Sequence, residues 1–395
     1  MIDAKSEAAA RAHPPFRPFV FLVAGEPSGD VLGARLMAGL KRSTDGQVRF
    51  AGIGGPEMAA EGLQSHFPMS DLSLMGLVEV AQHLPKVWRR LTETVALVRE
   101  LQPDVVVTID APTFNLRLCR RLRSSGSVLV HYVAPSVWAW RPGRAREIAR
   151  FLDHLIALLP FEPPLFERHG LACTYVGHPV MESPFVGISR RSRREGRGPL
   201  LCVLPGSRRG EVAWHLPVFA ETASRLGARY PDLRIAIPTV PAVARTVCEA
   251  TARWAVPARV VVDLPAKLEV FATADVALAA CGTVVLEAAA AGLPMIAAYK
   301  GNPLNAMIIR RMIRVRYVSL VNLLVDRPVI PELLQERCTP HLLAEAIERL
   351  VDDPQARDRQ RAGFVEAFRC LAVEGKPSER AAAIVLGLAR RGRRA

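Results

Sequence analysis

Short aliphatic and β-branched runs alternate along the chain with longer Ala-, Leu- and Arg-rich segments of helical period. In the first half the pattern predicts strands at Phe19–Ala24, Val48–Ala51, Asp104–Ile109, Val128–Val133, His154–Leu158 and Cys173–Val176. In the second half it predicts Leu200–Leu204, Leu233–Ile237, Val260–Val262, Asp275–Ala279 and Pro294–Ala298. Strands that are apolar throughout, rather than at alternate positions, are buried on both faces and belong to parallel sheets covered by helices. The expected fold class is α/β, with two Rossmann-like doubly wound domains facing a cleft. Residues 183–199 break the pattern: they are rich in Arg, Ser and Gly, have no apolar period, and mark a linker. The expected organisation is a flexible leader over 1–18, an N-terminal domain over 19–182, and a C-terminal domain over 200–370. Ala381–Leu388 reads as a closing amphipathic helix.

Composition narrows the class. Half of the 395 residues are hydrophobic, which excludes general disorder. The apolar runs are strand-sized, well short of the roughly 18 residues of a spanning helix, and no secretory signal is visible at the start. The seven cysteines are scattered without a C-x-x-C pair, so they read as small buried hydrophobes in a reducing compartment. The net charge of +14 asks for an anionic partner: nucleic acid, a membrane surface or phosphorylated substrates. A competing account is coding bias, since only six of the 52 basic residues are Lys. No RNP motif, zinc finger or basic zipper is present.

Three Gly-containing turns follow predicted strands. Neither G-x-G-x-x-G nor a Walker A loop occurs. Leu204-Pro205-Gly206-Ser207-Arg208 should open a helix, where Gly206 lets a ligand approach the backbone and Arg208 offers a forked cation. It is either a phosphate seat or a tight turn with an exposed Arg. In Cys281-Gly282-Thr283, the helix-start N–H groups suit a diphosphate. Glu287 lies on the same helix face as Thr283, placed to accept ribose hydroxyls or simply solvated. In Gly25–Asp30, Ser28 or Asp30 either caps a helix or faces the cleft.

Asp110 ends a buried strand, with Pro112 fixing the turn. It is placed for general-base work or as the N-cap of a helix over Asn115–Leu122. The loop beyond the next strand carries His131, Trp138, Trp140 and Arg141. A lone His is usually structural, whereas two Trp beside an Arg suggest a binding surface. Leu72–Leu91, with Leu77, Val78, Trp88, Arg89 and Arg90, is apolar with a basic end. It suits a membrane surface, an acyl-chain groove or an ordinary core helix. Asn305–Tyr317, threaded by Arg310, Arg311, Arg314 and Arg316, has the same two-sided reading.

Taken together, Val23–Asp30, Met75–Val80, Ile109–Asn115, His131–Arg144, Leu159–Glu162, Gly177–Pro179, Leu204–Arg208, Gly282–Glu287, Ser319–Leu324 and Glu332–Gln335 resemble the lipid A disaccharide synthases. The run Ser136-Val137-Trp138-Ala139-Trp140-Arg141 is the most specific of these. The resemblance implies a GT-B glycosyltransferase fold, with the donor in the C-terminal domain and the final helix, about 371–395, crossing back to the N-terminal one. It implies inverting transfer of 2,3-diacylglucosamine from its UDP derivative to 2,3-diacylglucosamine 1-phosphate. By the same resemblance Asp110 lies near the acceptor hydroxyl, with Ser28, Asp30, Asn115, His131, Trp138 and Trp140 as acceptor-side candidates. Arg208 belongs to the donor loop with Gly206 and Ser207, and Glu287, Asn322, Glu332 and Gln335 group around the nucleotide. Thr113, Cys281 and Val321 depart from the family's usual Asp, Ser and Pro. No D-x-D occurs, so no metal or cofactor is expected. The implied setting is cytoplasmic, peripheral on the anionic inner face of the inner membrane of a Gram-negative cell, with acylated glucosamine lipids as partners and homodimerisation through the C-terminal part. The rival readings are another UDP-sugar transferase or epimerase of the same fold, or a non-catalytic basic module binding membrane or nucleic acid.

Overall fold

The computed structural model describes residues 17–72, 77–191, 198–313 and 315–392, and leaves the side chains of 77–84, 304, 305 and 308–310 undescribed. Most of the expected leader, residues 192–197 of the expected linker and Arg314 therefore lie outside the described residues, as do the side chains of Leu77, Val78 and Arg310. The chain forms two compact units. One runs to Val137, resumes over Pro142–Gly177 and takes in the segment from Val373; the other comprises Trp138–Arg141 and His178–Ala372.

The first unit holds a parallel sheet of β1 (Phe19–Ala24), β2 (Arg49–Ile53), β3 (Val105–Ile109), β4 (Val128–Tyr132), β5 (His154–Ala157) and β6 (Cys173–Tyr175) in the order β2-β1-β3-β4-β5-β6. Its helices are α1 (Pro27–Ser43), α2 (Pro56–Ala60), α3 (Leu77–Leu101), α4 (Pro112–Leu122), α5 (Arg144–Ile148) and α6 (Pro163–Glu167). Strand alternation sorts the core into two layers. Phe21, Val23, Val106 and Leu129 face Val95 and Val98 of α3 and Leu118 and Leu122 of α4. Val20, Leu22, Val105 and Val130 face Leu36 and Leu40 of α1 and Ala381 and Val385 of the C-terminal helix Pro377–Gly392. That helix approaches α1 at Gly39, where a side chain would meet Ser378 O at 3.0 Å.

The second unit repeats the scheme with β7 (Leu200–Leu204), β8 (Arg234–Pro238), β9 (Ala258–Val261), β10 (Val276–Ala280), β11 (Met295–Tyr299) and β12 (Glu332–Leu334), all parallel, in the order β12-β11-β10-β7-β8-β9. Its helices are α7 (Arg209–Arg229), α8 (Pro241–Thr251), α9 (Leu264–Thr273), α10 (Thr283–Ala290), α11 (Pro303–Met312), α12 (Leu320–Val325), α13 (Pro340–Asp352) and α14 (Pro354–Leu371). The eleven expected strands are all present with ends within two residues of the expectation, and β12 is an addition. Four cysteines are buried as expected, but Cys248 and Cys370 are exposed.

In both sheets the strand order reverses beside the first strand. The loops leaving β1 and β3 diverge to opposite faces, and so do those leaving β7 and β10. Such switch points open a crevice at the carboxyl ends of the strands, where ligands of open α/β sheets bind. The Gly25–Asp30 and Asp110 turns stand at the first reversal, the Pro205–Arg208 and Cys281–Thr283 turns at the second.

Candidate active site

At the β1/β3 switch point the backbone is strained. Asp110 and Ala111 have φ of 51° and 41°, a left-handed conformation that costs non-glycine residues of order 1–3 kcal/mol each. Val133, a β-branched residue just beyond β4, has φ 83°. The surroundings hold the turn in place. The Asp110 N–H donates to Tyr132 O at 2.9 Å, and Asn115 Nδ2 donates to the carbonyls of Ile109 and Asp110 at 3.0 and 2.8 Å. The Asp110 carboxylate does not cap α4. Ala111 is the N-cap, without a side-chain hydrogen bond. Instead Asp110 Oδ2 accepts from Ser28 Oγ at 3.2 Å, which joins the two turns at this switch point.

The other acceptor-side candidates divide. Asn115 is wholly buried beneath Asp110, and its Oδ1 has no partner among the described residues. Asp30 does not face a ligand, nor does it cap its own helix. It is buried, and its carboxylate accepts from the N–H groups of Gly55, Glu57 and Met58 at 2.8, 2.9 and 3.1 Å, capping α2. His131 is likewise a core residue. It pairs in register with Thr108 inside the sheet, its Nδ1 is 2.8 Å from Thr108 Oγ1, and burial, with Arg144 nearby, pushes its pKa down to about 3. A histidine so placed stays neutral inside the sheet. Trp138 is half-buried, and Trp140 is exposed with the Arg141 guanidinium 4.9 Å from its ring centroid.

At the β7/β10 switch point Gly206 has φ 109° and Arg208 is the exposed N-cap of α7. The anion seat is occupied from within the chain: Glu211 Oε2 accepts from the Ser207 and Arg208 N–H groups at 3.3 and 3.4 Å, and Oε1 takes the Arg208 guanidinium at 3.4 Å. Any side chain at Gly206 would meet Glu211 Oε2 at 2.7 Å. Glu211 was legible as the third residue after an N-cap, the spacing of a capping box. His215, one turn further along α7, had no such signal. It is buried and bridges two loops, with Nδ1 2.8 Å from Pro205 O and Nε2 accepting from the Lys300 N–H at 3.1 Å. Burial lowers its pKa, so it remains a neutral strut.

Across the switch point Gly282 and Thr283 are exposed at the start of α10, whose N-cap Gly282 has no side chain to offer, and a Cβ on Gly282 would meet nothing within 4 Å. Glu287 is not simply solvated: it pairs with Lys267 of α9 at 2.7 Å. Glu332 accepts from the N–H groups of Val318 and Ser319, both at 2.9 Å, and from Asn322 Nδ2 at 2.8 Å. Asn322 is buried and also clasps Ile330 through both its N–H and C=O, so these two residues hold a loop together. Gln335, with φ 50°, takes the Gly301 N–H at 3.3 Å. Beyond β8 and β9, Val240, Val262 and Leu264 expose apolar surface beside Thr239, whose buried hydroxyl has no partner among the described residues.

Among the surface candidates, Arg90 is committed to the fold. It bonds Asp71 at 2.7 Å and Glu93 at 2.8 Å and covers the Phe67 ring, and Leu72, Val87 and Leu91 are core. Trp88, Arg89 and Arg311 are exposed.

A family model described as lipid-A-disaccharide synthetase matches residues 20–383. The lipid-A-disaccharide synthase of Rhodospirillum centenum is 54% identical over 377 residues, covering 93% of this chain and 94% of its own. That of Paramagnetospirillum magneticum is 48% identical over 385 residues, covering 95% and 98%. Among solved structures, the glycotransferase of kitacinnamycin aligns with a TM-score of 0.62 at 17% identity, covering 94% of this chain and 99% of its own. A UDP-GlcNAc 2-epimerase from Neisseria meningitidis bound to UDP-GlcNAc gives 0.59 at 11%, covering 94% and 100%. The structural likenesses speak to the fold alone.

Proposed function

The chain belongs to the lipid-A-disaccharide synthetase family, and from that premise we propose that it joins two acylated glucosamines in lipid A synthesis. The donor is the UDP derivative of 2,3-diacylglucosamine and the acceptor is 2,3-diacylglucosamine 1-phosphate. The observation that carries the reading is the family match over 20–383, which spans both units and both switch-point turns.

The acceptor 6-hydroxyl attacks the anomeric carbon of the donor by direct displacement, and Asp110 takes its proton. Strain at Asp110 and the hydrogen bond from Ser28 support this role, because both fix where the carboxylate points. UDP departs with charge growing on its β-phosphate. Arg208, the N–H groups of Gly206–Ser207 and those at Gly282–Thr283 receive that charge, the β-phosphate displacing Glu211 from its seat. Glu287 takes the ribose hydroxyls, and Asn322, Glu332 and Gln335 shape the loops around the nucleotide. The reading needs no metal or cofactor, since a guanidinium and helix N-termini supply the positive potential. The acylated substrates place the enzyme peripherally on the cytoplasmic face of the inner membrane, and the family resemblance adds pairing of two copies through the C-terminal part.

Incubating the protein with the UDP-diacyl sugar and the diacylglucosamine 1-phosphate should yield the disaccharide 1-phosphate and UDP by mass spectrometry. Release of UDP or an epimerised sugar without a disaccharide would overturn the reading.

A further inference from the structure

Lys267 has no part in the reaction as described, yet it touches the donor helix. Its ammonium lies 2.7 Å from Glu287 Oε2. It also sits 4.8 Å from the ring centroid of Phe185 and 5.5 Å from that of Phe271, two buried rings 5.0 Å apart. An ordinary surface ion pair is loosely held and contributes little. This one differs in its setting. The Lys267 and Glu287 side chains are only 24% and 30% exposed, and two aromatic faces attract the cation and restrict where it can go. A carboxylate offers about four acceptor positions. Lys267 takes one on Oε2, while Oε1 accepts no hydrogen bond among the described residues.

We propose that Lys267 is a positioning residue for ribose recognition. Held by Phe185 and Phe271, it fixes the Glu287 rotamer so that Oε1 is presented to the ribose hydroxyls of a uridine diphosphate donor. The inference rests on the reading of Glu287 as the ribose-binding carboxylate. A glutamate left to itself would have to be ordered when the ligand binds, and pre-ordering removes that cost.

The test is calorimetric binding of UDP and 2′-deoxy-UDP to the wild type and to Glu287→Gln, Lys267→Met and Lys267→Arg, with a thermal melt of each. The wild type should prefer UDP. Lys267→Met should weaken UDP binding by about two- to tenfold, the equivalent of ordering one flexible side chain, and leave 2′-deoxy-UDP almost unchanged. Lys267→Arg should recover most of the preference. In turnover, Lys267→Met should raise KM for the donor with kcat nearly constant. If Glu287→Gln abolishes the preference but Lys267→Met weakens both ligands equally or neither, Lys267 is only a structural ion pair and the inference fails while the role of Glu287 stands. If Glu287→Gln keeps the wild-type preference, Glu287 does not meet the ribose and both statements fail.

Discussion

Asp110 combines three properties that a helix cap would not need together: a left-handed backbone, a half-exposed carboxylate, and a hydroxyl partner from a separate turn. Asp110→Asn should therefore lower turnover by the roughly 10²–10⁴ that general-base assistance contributes, with UDP-sugar binding nearly intact. Near-normal turnover in steady-state assays would reduce Asp110 to a turn former. The buried histidines make a second residue-level prediction. Burial pushes His131 down to about 3 and His178 to about 4. Between roughly pH 6.5 and those values the unfolded chain binds protons that the native fold refuses, so stability falls as pH falls. At pH 5 each of the two should cost about 2 kcal/mol relative to pH 7. Denaturant unfolding at the two pH values should show the loss, and His131→Asn should show less of it. Equal losses in wild type and variant would mean that His131 accepts its proton in the folded protein. Legibility in the sequence followed from how far each argument had to reach. Asp110, Arg208 and Glu287 stand out as candidates in the sequence because a strand end or a helix start places them locally. His131 is structural, as a lone His usually is, while the partners that claim Asp30 and His131, α2 for one and the Thr108 hydroxyl for the other, are remote in sequence. Lys267 and His215 were missed for the same reason.

Elements were more legible than partners. A strand apolar at every position announces burial on both faces, so the central strands of each sheet could be found from composition alone. β12 escaped because it is only three residues long, Glu332–Leu334, opens on a charged residue, and is defined by its pairing with Ala297–Tyr299 of β11, which is remote in sequence. α3 continues through Pro85, which would ordinarily be read as a break; its register is fixed from Val87 onward by Val87, Leu91, Val95 and Val98 in the core. The start of α7 carries a prediction of its own. Glu211 lies on the Ser207 N–H, one of those proposed to receive the diphosphate, and on the adjacent Arg208 N–H, so ligand and carboxylate compete for one helix terminus. Gln at this position can still close the capping box but brings no negative charge. Glu211→Gln should keep its melting temperature and bind UDP about two- to fivefold more tightly, the equivalent of 0.3–1 kcal/mol at a helix terminus. Unchanged or weaker UDP binding by titration would mean that the diphosphate does not reach the Ser207 and Arg208 amides.

For the molecule as a whole, the unresolved question from the sequence is what a net charge of +14 is for. Much of the basic surface is neutralised locally. Arg90 is bound by Asp71 and Glu93, Arg120 by Glu147, and Arg327 by Glu366. Other basic side chains lie beside exposed apolar groups. Trp88 is 51% exposed with the Arg121 guanidinium 4.5 Å from its ring centroid and Arg89 next to it, and Met307 is 51% exposed on α11, which also carries the exposed Arg311. Among the described residues no helix is long and apolar enough to cross a membrane. The proposed function, with substrates that carry acyl chains, motivates a test of attachment to the bilayer surface. A basic residue near an anionic leaflet contributes about 1 kcal/mol, and the attraction decays over a Debye length of about 8 Å at physiological salt. Several such residues suffice for reversible attachment, while Trp88 adds an interfacial contact that salt does not screen. The protein should therefore sediment with anionic vesicles at low salt, and added salt should release most but not all of it. Trp88→Ser should lower the salt-resistant fraction and raise the apparent KM for lipid acceptor presented in micelles, without altering UDP binding. Wild-type protein that stays in the supernatant with anionic vesicles at low salt would end the surface-attachment account, and the arginine excess would then reflect coding composition rather than a partner.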